Sequence, residues 1–220
     1  MKKIAIVGVF GKMGQILEEK LSQKYEIRGI DAQDDLFDAI DCDLVIDFSN
    51  GKNSKDTAVW CKKFEKPLII GATGQTKREI NIIKNCSKNI PILKAGNFSM
   101  GIQMLKKMLM QIDKSQIESI SIIEKHHKNK IDRPSGTALE LQTFCEENLK
   151  KIAEICDMRG GEEIGTHEVN IYLKNEVLRI THQAFSRDAF ARGVEMAAEF
   201  MIQHKEKGLF SFDDVINLKN

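Results

Sequence analysis

The sequence predicts an α/β protein that begins with a doubly wound parallel sheet and continues with a smaller α+β part. Three observations carry this prediction. Short, unbroken apolar runs alternate with amphipathic helical patterns over the first hundred residues, as a parallel sheet covered on both faces requires. A glycine-rich turn separates the first run from the first helical pattern. After residue 97, two runs alternate apolar and polar residues instead, which is typical of a sheet with one open face.

The first part repeats the order strand, helix, strand. Its apolar strands are expected at about 4–7, 27–31, 44–48, 67–70 and 91–93. Its helices are expected over about 12–23, 53–64 and 76–87, with a short helical stretch after the second strand. Units of this kind place helices on both faces of one sheet.

The second part mixes helices with strands of a different pattern. Its helices are expected over about 100–112, 136–153 and 187–206, the last ending at Gly208, and its strands over about 116–124, 169–173 and 178–182. Because the pattern changes after Asn97, we place a domain boundary there, with residues 1–97 in the first domain. The 220 residues correspond to about one and a half average domains.

Composition and charge exclude several classes of protein. The chain has 33 Lys and Arg against 32 Asp and Glu, a net charge of +1, which disfavours binding to nucleic acid. No apolar run approaches the 18 residues of a membrane span. The five scattered cysteines form no C-x-x-C pair, and the first apolar run is too short for a signal segment. We therefore expect a cytoplasmic protein with reduced thiols.

The turn after the first strand carries glycines at 8, 11 and 14. Glycines between a strand and a helix allow the backbone to approach a pyrophosphate bound at the helix N-terminus. The usual fingerprint is G-x-G-x-x-G, from which this G-x-x-G-x-x-G turn departs, and a turn needed only for packing is the alternative. Its position, together with Asp31 at the end of the second strand, predicts a Rossmann-like dinucleotide site.

Asp31 also bears on the choice of coenzyme. A carboxylate at the end of the second strand accepts hydrogen bonds from a ribose 2′-hydroxyl and repels a 2′-phosphate. No arginine follows it directly, since residues 32 and 33 are Ala and Gln. The sequence therefore favours NADH, while Lys12 is positioned to let NADPH be tolerated. An ordinary helix cap or a solvated strand end is the alternative role for Asp31.

Three further loops follow strands of the first sheet, at 47–49, 71–74 and 96–99. Open α/β sheets bind ligands beyond the carboxyl ends of their strands. Small residues and accessible backbone amides suit the flat carboxamide of a nicotinamide. Each loop taken singly is typical of a turn, but three on one edge of a sheet favour a binding site.

The segment 124–138 concentrates the chemistry of the second part. Adjacent histidines, His126 and His127, precede Lys130, and Pro134 leads into Ser135-Gly136-Thr137 at the start of a helix. The free amides of such a helix start bind anions, while histidine transfers protons near neutral pH. A solvated basic loop is one alternative. A metal site of His126, His127 and Asp132 is another, but neighbouring histidines in a strand point to opposite faces, and no metal is expected.

Segments that match one enzyme family run almost from end to end of the chain. They are V-G-x-x-G-x-M-G at 7–14, D-F-S at 47–49, G-x-T-G at 71–74, N-F-S-x-G at 97–101, E-x-H-H-x-x-K-x-D-x-P-S-G-T-A at 124–138, R-G at 159–160, G-T-H at 165–167, H-x-A-x-S-R-x-x-F-A-x-G at 182–193 and K-G-L-F-S-F-D-D-V at 207–215. The long central segment is highly specific. The chain resembles the 4-hydroxy-tetrahydrodipicolinate reductase (dihydrodipicolinate reductase) family.

The resemblance implies an oxidoreductase of lysine and diaminopimelate biosynthesis. It would transfer a hydride from NADH or NADPH to 4-hydroxy-tetrahydrodipicolinate and release tetrahydrodipicolinate. The dinucleotide-binding domain, residues 1–97, would be completed by 189–220. Residues 98–188 would bind the dicarboxylate substrate and assemble a homotetramer through the open sheet.

The resemblance also implies roles for individual residues. His126 would be the general acid and Lys130 its catalytic partner. The substrate carboxylates would be bound by His127, Lys130, Ser135, Gly136 and Thr137, with Thr73 close by. The coenzyme would be bound by Gly8, Gly11, Lys12, Met13, Asp31, Phe48, Gly71, Thr73, Gly96, Asn97 and Phe98.

Two positions depart from the family pattern. Lys12 stands where arginine is frequent, which weakens any inference about 2′-phosphate, and Ala72 stands where threonine is common. Two other functions compete with the reductase: a dehydrogenase acting on an amino acid, and a nicotinamide-binding regulator without catalysis. The Pro-Ser-Gly-Thr helix start after a double histidine disfavours the first, and a regulator would not need both His126 and Lys130.

Overall fold

A computed structural model describes residues 1–217, and its first part alternates strands and helices as predicted. Its elements are β1 (Lys3–Val7), α1 (Lys12–Leu21), β2 (Glu26–Ile30), β3 (Leu44–Asp47), α2 (Ser54–Lys63), β4 (Leu68–Ile70), α3 (Lys77–Ser87) and β5 (Pro91–Lys94). A short 3-10 helix, Leu36–Ala39, lies between β2 and β3. The helix starts follow local chemistry: a capping box of Thr76 and Glu79 begins α3.

The chain continues through a second set of elements. They are α4 (Met100–Leu109), β6 (Ser119–His126), α5 (Gly136–Phe144), β7 (Ala153–Arg159), β8 (Gly165–Leu173), β9 (Glu176–Ala184), α6 (Asp188–Gln203), β10 (Gly208–Phe210) and α7 (Phe212–Asn217). One π-helical turn, Cys145–Leu149, extends α5.

Within the described residues, the first sheet has six parallel strands in the order β10-β5-β4-β3-β1-β2. Its central strands are unbroken apolar runs because both faces are covered; Ile4, Ile6 and Ile46, for example, are fully buried. The second sheet, in the order β7-β6-β8-β9, pairs β6 and β7 in parallel and the other neighbours antiparallel. The predicted fold class, a doubly wound parallel sheet plus a mixed α+β sheet, is confirmed.

The chain divides into two compact units. The first comprises 1–98 and 190–220, and the second comprises 99–189, so the predicted boundaries lie one residue away. The C-terminal segment packs tightly within the first unit: a Cβ on Gly193 of α6 would lie 1.8 Å from the carbonyl oxygen of Phe98. The dinucleotide-binding and substrate-binding roles of the two units stay predictions.

Two predicted elements in the second half of the chain were wrong. The helix expected over 136–153 ends at Phe144 and its π-helical turn, and the edge strand β7 follows where no strand was expected. Its sequence, AEICDMR, alternates weakly and carries three charges, which hides the strand pattern. Gly208 does not end α6, which stops at Gln203; it begins β10 instead.

The second sheet has one covered and one open face. Ile120, Ile122, Val169 and Ile171 are buried on the covered face together with apolar residues of α4 and α5. The alternate residues of the same strands, such as Lys125 and Tyr172, are exposed. No helix among residues 1–217 is long and apolar enough to cross a membrane.

Candidate active site

The parallel strands of the first sheet bring the predicted coenzyme residues to one edge. The segments that follow parallel strands lie at the same edge of the sheet. The predicted residues there are Gly8, Gly11, Lys12 and Met13 after β1, Asp31 after β2, Phe48 after β3, Gly71 and Thr73 after β4, and Gly96, Asn97 and Phe98 after β5. Gly8, Gly11, Asp31 and Phe48 also line a cavity of about 560 Å³, a size ordinary for small-molecule sites.

The glycines of the turn after β1 allow α1 to pack closely and leave the adjacent cavity accessible. Gly8 has a φ of +84°, and a Cβ there would lie 2.8 Å from Ser49 Cα. A Cβ on Gly14 would lie 2.2 Å from the Gly8 carbonyl oxygen, so Gly14 lets α1 pack against the turn. Gly11 borders the cavity. Packing therefore explains Gly14, while Gly8 and Gly11 leave the cavity wall without side chains.

The cavity is acidic on the side formed by the segment after β2. Asp31, Asp34 and Asp56 line it, and no lysine or arginine is among the described residues that do so. Asp34 accepts a hydrogen bond from the backbone N–H of Asp31, at 2.8 Å. Sequence reasoning named only Asp31. The lining residues that it did not name include Asp34, Leu36, Asn50, Asn53, Asp56 and Thr57, whereas Ser49 belongs to the loop at 47–49 that it did single out.

Two aromatic rings lie beside the predicted nicotinamide loops. A Cβ on Gly71 would lie 2.1 Å from Phe48 Cζ. The Phe48 ring therefore occupies the space that a side chain at position 71 would fill. The Phe48 and Phe98 ring centroids are 5.8 Å apart, and Phe98 contacts Phe212 at 5.3 Å. These contacts fix the loops that follow β3 and β5.

A row of polar side chains crosses the covered face of the second sheet. In the strand register, Glu124 of β6 lies opposite Asp157 of β7 and His167 of β8, and His167 lies opposite His182 of β9. The neighbouring row is apolar and consists of Ile122, Ile155, Val169 and Ile180. Buried polar groups need partners, so the contacts within this row define the site.

Glu124 is fully buried and makes three contacts. One carboxylate oxygen, Oε1, accepts from the Ser135 backbone N–H at 3.0 Å and from Arg159 Nη2 at 2.7 Å. The other, Oε2, is hydrogen-bonded to His126 Nδ1. Burial alone would raise the pKa of Glu124, but the hydrogen bonds from Arg159, Ser135 and His126 outweigh it and lower the pKa.

His126 ends β6 and is 7% exposed. Burial lowers its pKa; Glu124 opposes this effect, whereas the positive charges of Lys130 and Arg159 add to it. Because Nδ1 faces Glu124, the other ring nitrogen is the one available to a ligand. That atom, Nε2, lies beside Gly165 of β8, where an added Cβ would be 2.9 Å away.

The start of α5 is built around Ser135. Its Oγ accepts from the Ala138 backbone N–H at 3.2 Å and lies 3.2 Å from His167 Nε2. Since the serine oxygen already accepts one hydrogen bond, its O–H is free to donate to His167. Burial, together with the proximity of His126, lowers the pKa of His167 to about 3, so His167 is neutral at physiological pH.

A second serine and histidine pair lies at the start of α4. Ser99 caps this helix by accepting from the Ile102 N–H, and its Oγ lies 3.0 Å from His182 Nε2. Burial lowers the pKa of His182. A Cβ on Gly101 would lie 2.4 Å from the His182 ring. The starts of α4 and α5 are thus each anchored to a neutral histidine of the same polar row.

The predicted substrate residues lie together around the start of α5. Lys130 Nζ is 2.7 Å from Asp132 Oδ1. Burial would raise the pKa of Asp132, but Lys130 and the Gly136 backbone amide outweigh it and lower the pKa. Lys130 and the helix start therefore already stabilise one carboxylate, which is the property that the anion site requires. His127 is half-buried, and its backbone N–H donates to the Glu163 carbonyl at 2.7 Å.

Among the described residues, one group that includes two members of this row has ligand atoms spaced to suit a metal ion. Ligand atoms of Glu124, His126 and His167 lie within 4.8 Å of one another, a different set from the His126, His127 and Asp132 considered above. The Arg159 guanidinium contacts the Glu124 carboxylate, and a cation there opposes binding of a metal ion. We therefore interpret the group as a hydrogen-bonded pair with a neighbouring histidine.

Sequence comparison identifies the family. The models of the family described as dihydrodipicolinate reductase match residues 2–98 for its N-terminal part and 101–216 for its C-terminal part. The chain belongs to the dihydrodipicolinate reductase family. The resemblance inferred from the motifs is confirmed.

Relatives named 4-hydroxy-tetrahydrodipicolinate reductase align over nearly the whole chain. The protein from Clostridium tetani is 34% identical over 250 aligned positions, which cover 99% of this chain and 98% of the relative. The protein from Sulfurimonas denitrificans is 32% identical over 257 positions, covering 99% and 100%. These alignments are longer than the 220 residues of this chain, so the relatives carry segments that this reductase-family member lacks.

Solved structures of low sequence identity share the fold. A dipicolinate-bound dihydrodipicolinate reductase from Paenisporosarcina sp. TG-14 superimposes with a TM-score of 0.74 at 20% identity, covering 96% of this chain and 97% of that one. An aspartate dehydrogenase from Thermotoga maritima gives a TM-score of 0.57 at 11% identity, covering 94% and 98%.

Sequence reasoning assigned no role to the polar residues that surround the Glu124–His126 pair. Glu124 belongs to the quoted family segment but was given no role, and Arg159, His167 and His182 were given none either. A signal existed for Glu124, since residues two apart in a strand share a face. The other three depend on pairing between strands distant in sequence.

Proposed function

We propose that this protein catalyses the NAD(P)H-dependent reduction of 4-hydroxy-tetrahydrodipicolinate to tetrahydrodipicolinate, in the biosynthesis of diaminopimelate and lysine. The observation that carries the proposal is the buried Glu124–His126 pair next to Lys130 and the start of α5, in a chain whose family match extends from residue 2 to residue 216. The pair offers a proton donor, and its neighbours offer an anion site.

The substrate is a dianion, and the second unit offers positive groups for it without making the whole protein basic. Lys130 and the backbone amides of Gly136 and Thr137 at the start of α5 are the proposed carboxylate ligands. The contact of Lys130 with Asp132 supports this assignment. We propose that the substrate carboxylate takes the place of Asp132 beside Lys130, and that His127 and Ser135 complete the site.

The proton step follows from the position of His126. When bound, the reduced nicotinamide would supply a hydride to the conjugated imine that the substrate forms when its 4-hydroxyl group leaves as water. The added electron pair leaves negative charge on the substrate, which must accept a proton. Protonated His126 donates this proton from Nε2, and its Nδ1–H stays with Glu124. Lys130 stabilises the developing negative charge.

We propose that the coenzyme is bound by the first unit and that NADH is preferred. The glycine turn and the cavity beside it fit a dinucleotide, because Gly8 and Gly11 leave backbone amides at the start of α1 open to a pyrophosphate. The three aspartates of the cavity suit hydroxyl groups of a ribose and disfavour a 2′-phosphate. Lys12, exposed at the start of α1, is the cation proposed to let NADPH be tolerated.

We propose that the open face of the second sheet assembles a homotetramer in the cytoplasm. Met158 of β7 is 51% exposed and Tyr172 of β8 is 39% exposed on this face. Met104 and Met108 of α4 are also exposed, so these two side chains do not belong to the core of their unit. Light scattering coupled to size-exclusion chromatography tests the assembly, and a monomer at micromolar concentration would contradict it.

The reaction is tested with substrate generated by the preceding synthase. Consumption of NADH and NADPH is followed separately at 340 nm. We expect turnover with both coenzymes and a higher kcat/KM with NADH. A rate with aspartate or a diamino acid, and none with the synthase product, would favour the amino-acid dehydrogenase; coenzyme binding without any turnover would favour the regulator.

A further inference from the structure

One carboxylate connects the three parts of the candidate site in the second unit. Glu124 Oε2 contacts the His126 ring, and its Oε1 contacts the first amide of the α5 start, that of Ser135. Arg159, which donates to the same Oε1, also donates to the Asp132 carbonyl at 2.6 Å and so fixes the loop that carries Lys130. The proton donor, the anion-binding helix start and the lysine loop thus share one buried group.

The two oxygens of Glu124 are not equivalent. Two N–H donors, from Ser135 and Arg159, converge on Oε1. Oε2 faces the His126 ring. Since an ionised carboxylate only accepts hydrogen bonds, the nitrogen of His126 that faces it must carry a proton. The proton-exchanging atom of the neutral ring is then Nε2.

We propose that Glu124 is the positioning residue of His126: it keeps Nδ1 protonated and directs Nε2 toward the substrate, while the same carboxylate fixes the helix start that holds the substrate anion. This inference rests on the proposed reductase function. Glu124 does not touch the substrate, and it acts through His126, Arg159 and the Ser135 amide.

Burial protects the contacts of Glu124 from competing water. Glu124 is 0% exposed and the Arg159 side chain is 2% exposed, so water does not compete for the carboxylate. Removing one member of a buried, hydrogen-bonded charge pair leaves the other uncompensated. A carboxylate in this position also stabilises the imidazolium that His126 must form before it can donate a proton.

The decisive variant is Glu124→Gln. Because two N–H donors face the Oε1 position, the amide oxygen takes that position and the amide NH₂ faces His126 Nδ1. An NH₂ group requires an acceptor there, so the neutral ring must move its proton to Nε2. The contacts to Ser135 and Arg159 are retained. The variant therefore changes the tautomer of His126 and leaves the anion site in place.

We expect Glu124→Gln to lower kcat by about 10²-fold or more, the usual contribution of a general acid, with less than about a threefold change in KM for the dicarboxylate. The control is Glu118→Gln, which makes the same change of charge at an exposed residue directly before β6. This variant should keep the wild-type kcat. Glu124→Ala, which removes all three contacts, should raise KM as well.

The pH dependence of kcat distinguishes a positioning role of Glu124 from a purely structural one, which would leave that dependence unchanged. The groups facing His126 are Glu124 from β6, Arg159 from β7, His167 from β8 and Lys130 from the following loop. Loss of the one negative charge among them disfavours the imidazolium, so the pH at which kcat falls on the alkaline side should decrease in Glu124→Gln.

The tautomer of His126 can be measured by ¹H–¹⁵N NMR without substrate. This measurement therefore tests the positioning role of Glu124 separately from the proposed reductase function. We expect neutral His126 to be protonated at Nδ1 in the wild-type protein and at Nε2 in Glu124→Gln. An unchanged tautomer, or a wild-type kcat in Glu124→Gln, would overturn the positioning role. A wild-type protein that fails to reduce the dicarboxylate would overturn the proposed function instead, whatever the tautomer.

Discussion

Gly165 provides a direct test of the position of His126, because it leaves space for the imidazole ring. In Gly165→Ala the new Cβ would lie 2.9 Å from His126 Nε2 and 3.3 Å from Cδ2. Ordinary contacts of a Cβ begin at about 3.4 Å, so the ring must retreat by about 0.5 Å. Glu124 restrains the opposite edge of the ring through Nδ1, which limits the retreat.

The expected cost follows from these distances. Insertion of a methyl group into a packed site costs about 1 to 3 kcal/mol of folding free energy when the neighbours cannot move. A displacement of about 1 Å in a reacting group lowers the rate about 100-fold. For half that displacement we expect kcat to fall about tenfold, with KM for NADH unchanged because the predicted coenzyme residues lie in the other unit.

The assay is the consumption of NADH with synthase-generated substrate, accompanied by urea denaturation of each variant. Gly160→Ala is the matched control, since a Cβ there would meet no heavy atom within 4 Å; it should keep the wild-type kcat and stability. A Gly165→Ala protein with wild-type kcat would refute the placement of Nε2 as the proton donor.

Three further predictions concern the helix start, the buried histidine and the coenzyme. Ser135→Ala removes the acceptor for the Ala138 N–H and should lower the free energy of unfolding by about 1 kcal/mol in urea denaturation, whereas exposed Thr143→Ala in α5 should not; equal stabilities would contradict the cap. Folded His167 stays neutral down to a pH of about 3 while the unfolded chain takes up its proton near pH 6.5, so this residue lowers stability as the pH falls below 6.5. Between pH 7 and pH 5, we expect the free energy of unfolding to fall by about 2 kcal/mol less in His167→Gln than in the wild type. An equal decrease in both proteins would contradict a neutral His167 in the folded state. Asp31→Asn removes one charge from the cavity and should raise the ratio of kcat/KM for NADPH to that for NADH about tenfold, while Asp38→Asn, outside the residues that line the cavity, should not; an unchanged ratio in Asp31→Asn would show that Asp31 does not face the 2′ position.

The edge of the first sheet at which we propose coenzyme binding could be located from the sequence, because the information that defines this edge is local. Each strand is an unbroken apolar run, and parallel strands end at one edge, so Gly8, Asp31 and Phe48 could be assigned to it from their positions alone. Asp34 could not, because the turn between β2 and the 3-10 helix has no periodic pattern that fixes where its side chain points. Asp56 lies in the first turn of α2, and its approach to the cavity depends on how that helix packs on the sheet.

The second unit was harder to predict because its site depends on pairing between distant strands. Arg159 lies 35 residues after Glu124 in sequence and contacts it only because β7 pairs in parallel with β6. The charges of β7 concealed that strand, so the pairing that brings Arg159 to Glu124 could not be predicted, although Arg159 lies in a segment that matches the family. His167 and His182 entered the polar row through the antiparallel register of β8 and β9.

The central claim is that this member of the dihydrodipicolinate reductase family reduces the cyclic dicarboxylate with a proton from His126. The most direct test is the rate of NADH consumption with synthase-generated substrate for the wild-type protein and for His126→Gln, with coenzyme binding measured in parallel. We expect wild-type turnover and a loss of about 10²- to 10⁴-fold in kcat for His126→Gln, with unchanged affinity for NADH. Wild-type kcat in His126→Gln, or no turnover by the wild-type protein, would contradict the claim.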